Sequence, residues 1–211
     1  MRILRTSLTV AAAAILLAGT SPADAAKRKA KPSCAKKGST TVRASRDARL
    51  FTVSTRDAVD HLYGCLRSVG RPVELAEETD DLDSTSTFGD VRLSGRYAAW
   101  RETSTSTDDS CRADCPSSGF DGTTESVSVY DLRRRRTVRT VSDGVTDHAL
   151  VLTRRGGVAW LSGNDLFAAD RSGQRLLDTG AIKPRSLRAE ISIVSWVRDG
   201  VERFARLGPA R

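Results

Sequence analysis

The residue types in this chain that could do chemistry are four cysteines, two histidines and three local groupings of charge. Cys111 and Cys115 stand in a C-x3-C spacing with no histidine beside them, which is a poor zinc site. An even number of cysteines in a chain bound for an oxidising compartment reads instead as disulfides, and four cysteines allow three pairings. Cys111 and Cys115 share one polar segment, so local pairing is the simplest solution, leaving Cys34 to bridge to Cys65. Closing that loop of about 30 residues is worth roughly 3 kcal/mol on the chain-entropy account.

The other candidates weaken on inspection. His61 and His148 each approach a predicted strand, and neither belongs to an H-E-x-x-H pattern. No G-x-S-x-G elbow or G-x-x-x-x-G-K-[ST] loop is present, and Gly156-Gly157 has no helix behind it to receive a phosphate. Asp131 and Asp170 occupy equivalent places in two repeats, where hairpin geometry explains them, since Asp favours turn starts. Glu77, Glu78, Asp80, Asp81, Asp83 and Asp90 form an acidic stretch, interleaved with Ser84-Thr85-Ser86-Thr87, that reads as a polar loop. It lacks the spacing of a calcium loop, so only carboxylate density argues for a cation. Arg133 to Arg136 read as a solvated hairpin tip rather than an anion site. No catalytic residue, metal ligand or cofactor-binding residue, and hence no cofactor, is nominated.

The elements that carry these residues begin after an export signal. Arg2 and Arg5 precede an apolar run from Leu8 to Ala18 and then Ala23-Asp24-Ala25, the order of a secretory signal peptide cleaved after Ala25. The run is too short for a membrane anchor, so the mature chain has no predicted transmembrane segment. Of the charges, Lys27, Arg28, Lys29, Lys31, Lys36 and Lys37 fall in an acid-free basic tail, residues 26–37. The body, residues 38–211, is then nearly neutral, which argues against specific nucleic-acid binding. A composition with 39% hydrophobic and 28% charged residues fits one globular domain and excludes a multispan membrane protein, a collagen-like repeat or a disordered chain.

Within the body, short alternating segments recur between turn signals. Leu93 to Trp100 (L-S-G-R-Y-A-A-W), Leu152 to Trp160 (L-T-R-R-G-G-V-A-W) and Leu187 to Trp196 (L-R-A-E-I-S-I-V-S-W) each run from a leucine through a turn into a strand ending in Trp. A second hairpin follows each, and an earlier copy spans Thr41 to Leu75. Treating about 103–125 as an insertion brings the tryptophan spacing near 40 residues, the period of propeller blades. The expected fold is therefore all-β, a propeller-like array of about four short antiparallel blades, with a β-sandwich as the alternative. The last copy ends at Leu207-Gly208-Pro209 without a fourth strand, so the array is expected to be irregular or incompletely closed.

The strings Leu62-Tyr63-Gly64-Cys65-Leu66, Tyr97-Ala98-Ala99-Trp100, Gly157-Val158-Ala159-Trp160, Leu176-Leu177-Asp178-Thr179-Gly180 and Ser186-Leu187 resemble a set of uncharacterised secreted propeller-like proteins of high-GC actinobacteria. The resemblance implies a secreted all-β protein and brings no catalytic residue with it. The functional expectation is a binding or scaffold module at the cell envelope or outside the cell, meeting an envelope polymer or protein through its loops or basic tail. The competing class is an envelope-polymer hydrolase or lyase, which a deep pocket lined by two or more carboxylates would favour.

Overall fold

Strand Tyr97-Ala98-Ala99-Trp100-Arg101 is buried at every position, and Val158-Ala159-Trp160-Leu161 likewise. Side chains alternate between the two faces of a strand, so such a run means a sheet covered on both sides. A computed structural model describes residues 33–81, 84–106, 122–142 and 149–210, all within one compact unit. The predicted signal peptide, most of the basic tail, Cys111, Cys115 and His148 lie outside the described residues.

Four antiparallel sheets follow one another along the chain. The first contains β1 (Ser39–Ala44), β2 (Ala48–Ser54), β3 (Asp60–Leu66) and β4 (Val73–Glu77). The second contains β5 (Thr79–Asp81), β6 (Ser84–Ser94), β7 (Tyr97–Ser106), β8 (Thr123–Asp131) and β9 (Arg136–Ser142). The third contains β10 (Leu150–Leu152), β11 (Val158–Ser162), β12 (Asp165–Asp170) and β13 (Gly173–Thr179). The last has only β14 (Arg188–Ala189), β15 (Ile193–Arg198) and β16 (Val201–Arg206). The first strand of each main hairpin lies beside the next, β1 by β6, β6 by β10 and β10 by β14, a propeller-like order.

Three cores join consecutive sheets. Leu50 and Leu62 meet Ala98, Trp100 and Tyr130 between the first and second. Tyr97, Val127 and Val129 meet Leu150, Val158 and Trp160 between the second and third. Ala159, Leu161 and Ala168 meet Val194, Trp196 and Leu207 between the third and last. Each tryptophan thus fills the gap with the preceding sheet, while its small neighbours permit close approach: a Cβ at Gly64 would fall 2.4 Å from Leu132 Cδ2. Among the described residues no apolar core joins the last sheet to the first. The sheets form an unclosed serial stack.

The two ends of the stack differ. On β2 the counterpart of the tryptophans is Phe51, which faces away from the second sheet, yet it is fully buried. Its cover is the segment around Cys34, held by the Cys34–Cys65 disulfide, with Lys36 Nζ 3.7 Å from the centre of the Tyr63 ring and Arg49 stacked on Phe51. At the other end, Ile193 and Phe204 are 42% and 77% exposed. Beyond β16 the chain crosses back: Gly208 N–H donates to Asp170 Oδ2 at 2.6 Å, Arg171 N–H to Pro209 O at 3.0 Å and Ala210 N–H to Arg155 O at 2.7 Å.

One expectation changes. The acidic Ser/Thr stretch is not a loop: its described residues complete β4, form β5 and open β6. Thr and Ser alternate there, and cross-strand pairing from Ser84–Ser106 to Gly89–Arg101 absorbs the backbone polar groups, which β-branched Thr favours.

Two stability outcomes follow. Replacing Cys34 and Cys65 together by Ser is expected to lower the unfolding free energy by roughly 3 kcal/mol in urea titration; an unchanged midpoint would mean that the cap stabilises nothing. Trp196 Nε1 donates to Asp178 Oδ2 at 2.7 Å, whereas Trp160 Nε1 is buried without an acceptor. Trp196→Phe should therefore cost about 1.5–3 kcal/mol more than Trp160→Phe, since only the former loses a hydrogen bond to a carboxylate.

Candidate functional site, an arginine-lined mouth

The turns of the inner hairpins gather along one side of the stack, at the same end of the strands in each sheet, and each is built by its own local chemistry. In the β1–β2 turn, Ser45 Oγ accepts from Ala48 N–H at 3.1 Å and leaves Arg46 and Asp47 exposed. In the β6–β7 turn, Gly95 takes φ +60, a conformation that favours glycine, and Arg96 follows it. In the β10–β11 turn, Thr153 Oγ1 accepts from Gly157 N–H at 2.9 Å and pushes Arg154 and Arg155 outward. Gly156, at φ +83, leaves room for Ala210 and the Tyr97 ring, which a Cβ would meet at 2.7 and 2.9 Å.

These turns enclose a cavity of about 910 Å³ lined by Arg46, Asp47, Arg96, Tyr97, Arg154, Arg155 and Pro209, with Ser45 and Gly95 completing the wall. The lining holds four arginines and one acidic residue. Arg96 is fixed: its Nη2 donates to Tyr97 Oη at 2.7 Å and lies 3.2 Å from Asp131 Oδ2. That second contact is an ion pair off the angle of a hydrogen bond. Among the described residues, no carboxylate lies within ion-pair distance of Arg46, Arg154 or Arg155.

The surrounding turns extend the same charge. Arg67 N–H donates to Asp47 O and Leu132 N–H to Arg96 O, placing the β3–β4 and β8–β9 turns at this end. Those turns carry Arg67, Arg71 and Arg133 to Arg135, and the β12–β13 turn adds Arg171. Against them, the described turns of this end hold Asp47 and Glu190 as acids, with Asp131 and Asp170 at the strand ends beside them. The described turns of the opposite end balance Arg56, Lys183 and Arg185 against Asp57, Glu78 and Asp199.

The paired aspartates serve the frame. Asp131 Oδ1 accepts from Arg133 N–H at 2.9 Å and Arg134 N–H at 3.1 Å, fixing the turn that carries the arginine run. Asp170 Oδ1 accepts from Ser172 N–H at 2.9 Å, and Arg175 and Gly208 also bind its carboxylate. Burial pushes the Asp170 carboxyl up, but these donors outweigh it and hold it well below the usual range. Asp178 is lowered against the same burial by Trp196, Thr179, Arg198 and Arg203. Both aspartates are spent on packing.

His61, Glu74 and Glu77 form the other cluster, on the first sheet. His61 Nδ1 lies 3.2 Å from Glu74 Oε1 and Nε2 lies 3.8 Å from Glu77 Oε1. Tyr63 Oη donates to Glu74 Oε2 at 3.0 Å. The hydrogen bond with His61 is the main cause of the lowered Glu74 pKa. Each ring nitrogen faces a different carboxylate, whereas a chelated ion sits about 2 Å from one nitrogen with its other ligands around it. The cluster is a hydrogen-bonded clamp across β3 and β4.

Of the residues singled out in the sequence, Cys34 and Cys65 are joined, and the arginine run stands at a turn as expected. Asp90 of the acidic stretch pairs with the buried Arg101 at 3.1 Å and with Arg92 at 3.6 Å. The mouth itself escaped sequence reading because Arg46, Arg96 and Arg154 lie in different repeats. The available signal was positional: three of the four inner turns carry an arginine just ahead of the buried strand.

No protein-family model matches the sequence, and no curated protein matches it either. Among solved structures, the acylaminoacyl peptidase of Pyrococcus horikoshii aligns at a TM-score of 0.49 and 8% identity, covering 75% of this chain and 28% of that one.

A carboxylate whose folded pKa is depressed stabilises the fold above its unfolded value, near pH 4, and loses that contribution as pH falls toward the folded value. Asp170→Asn is therefore expected to lower stability by about 2 kcal/mol at pH 7. The gap from wild type should close steadily below about pH 4. Urea titrations across pH read this directly, and a pH-independent gap would contradict the ionic account.

Proposed function

We propose that this chain is an exported binding module that holds an anionic polymer of the cell envelope across the arginine-lined mouth. The observation that carries the reading is the mouth itself, where Arg46, Arg154 and Arg155 face solvent without a carboxylate partner around a cavity of about 910 Å³. Guanidinium groups pair bidentately with phosphate and carboxylate, and a basic concavity raises the local concentration of such ligands. The lining supplies one carboxylate, Asp47, where hydrolysis of an envelope polymer would call for a pair, so binding is favoured over the hydrolase or lyase alternative. The disulfide supports an oxidising destination.

The described lining of the mouth comes from the turns, so its contribution and that of the basic tail can be tested separately. Binding of inorganic polyphosphate and of polygalacturonate to the mature chain, followed by calorimetry, should weaken as salt is raised from about 50 to 500 mM. Arg154→Glu with Arg155→Glu should weaken it by at least about tenfold. Replacing Lys27, Arg28, Lys29 and Lys31 by Ser should leave most of the affinity. Loss with the tail variant alone would move the site to the tail. Equal binding of neutral dextran would end the electrostatic reading.

A further inference from the structure

We propose that the bare outer face of the last sheet docks a second copy of this chain, face to face, about a two-fold axis running along β15. Every described sheet face that packs does so on a neighbouring sheet or, at the first sheet, on the segment stapled by Cys34. The outer face of β14–β16 has neither. Among the described residues six large hydrophobic side chains are exposed, and two of them, Ile193 and Phe204, lie on this face, with Ile191 in the adjoining turn.

The pairing register gives the layout of the face. Ile193 pairs with Arg206, Ser195 with Phe204 and Val197 with Glu202, Arg188 pairs with Ser195, and Glu190 N–H donates to Ile193 O. Alternation places Ile193, Ser195 and Val197 on the outer side, because Val194 and Trp196 face the core. One row therefore reads Glu190, Ile193, Arg206, and the next reads Arg188, Ser195, Phe204. A two-fold axis along the central strand exchanges β14 with β16 and leaves the rows at the same height. Glu190 then meets Arg206 of the second copy, twice over. Arg188 comes over Phe204 of the second copy, a cation–π geometry, while Ile193 and Val197 meet their own equivalents.

A head-to-tail arrangement is disfavoured, because the free face of the first sheet is already covered and Phe51 is fully buried there. The face is small: three strands about 4.8 Å apart and some six residues long give on the order of 300 Å² per copy. That is well under the roughly 800 Å² per partner of a stable complex, so the dimer should be weak and concentration-dependent.

The test is sedimentation velocity on the mature chain between about 10 µM and 1 mM. Wild type is expected to shift from monomer toward dimer. Glu190→Arg alone and Arg206→Glu alone should each weaken association by at least about tenfold, since each puts like charges together. Mixed in equal amounts, the two variants should recover a heterodimer, because both contacts again join opposite charges. Both positions are exposed, and unchanged urea midpoints would verify that the variants are folded. A wild type that stays monomeric at 1 mM overturns the proposal. So does a dimer indifferent to both charge reversals, which would point to pairing along the open edge of β16.

Discussion

Everything in this structure depends on sheets that are apolar on both faces. In β7, Ala98 and Trp100 face the first sheet while Tyr97 and Ala99 face the third; in β11, Val158 and Trp160 face backward and Ala159 and Leu161 forward. Such a sheet has no solvent side, so it is stable only between neighbours. A stack of these units must then deal with its two ends. The chain covers one with its own stapled N-terminal segment and leaves the other to β15 and β16, whose outer face mixes apolar and charged residues.

The same stacking creates the mouth. Since each unit begins with a hairpin near the centre of the stack, its first turn is brought beside the turns of the other units whatever residues the turn contains. Hydrogen bonds accepted by the Ser45 and Thr153 hydroxyls and the positive φ of Gly95 set the local shape, and the outward positions are then free to vary. Arginine stands at three of the four inner turns. Like charges gathered this way repel one another, a cost that the buried aspartates partly offset by anchoring the adjoining strands and, at Arg96, by direct pairing.

Much of the frame was legible in the sequence because its determinants are local. The buried strands that carry the tryptophans, the hairpin turns, the missing fourth strand of the last unit and the Cys34–Cys65 bridge all follow from short patterns, although the strands run on past each tryptophan, β7 as far as Ser106. The acidic Ser/Thr stretch misled because composition resembled a loop, whereas its alternation of Thr and Ser fits a strand paired along its length with β7. The sandwich alternative could not be separated from a serial stack by hairpin pattern alone. That distinction lies in which face of β7 meets which sheet, and a single strand shows both faces equally apolar. The mouth was hidden for a related reason: its arginines are contributed by turns that only tertiary packing brings together.

Because only one end is covalently tied, the stack has a direction. The last sheet rests on a single core, reinforced by the crossing of Gly208, Pro209 and Ala210 over the third sheet, whereas the first is held by both a core and a disulfide. Local opening should accordingly begin at β14–β16, baring Ala159, Leu161 and Ala168, and travel toward the stapled end as each sheet loses its neighbour. Amide hydrogens would then exchange in a gradient along the chain, fastest in the final sheet, so that the array behaves less like an all-or-none globule than like a zipper fastened at its N-terminal end.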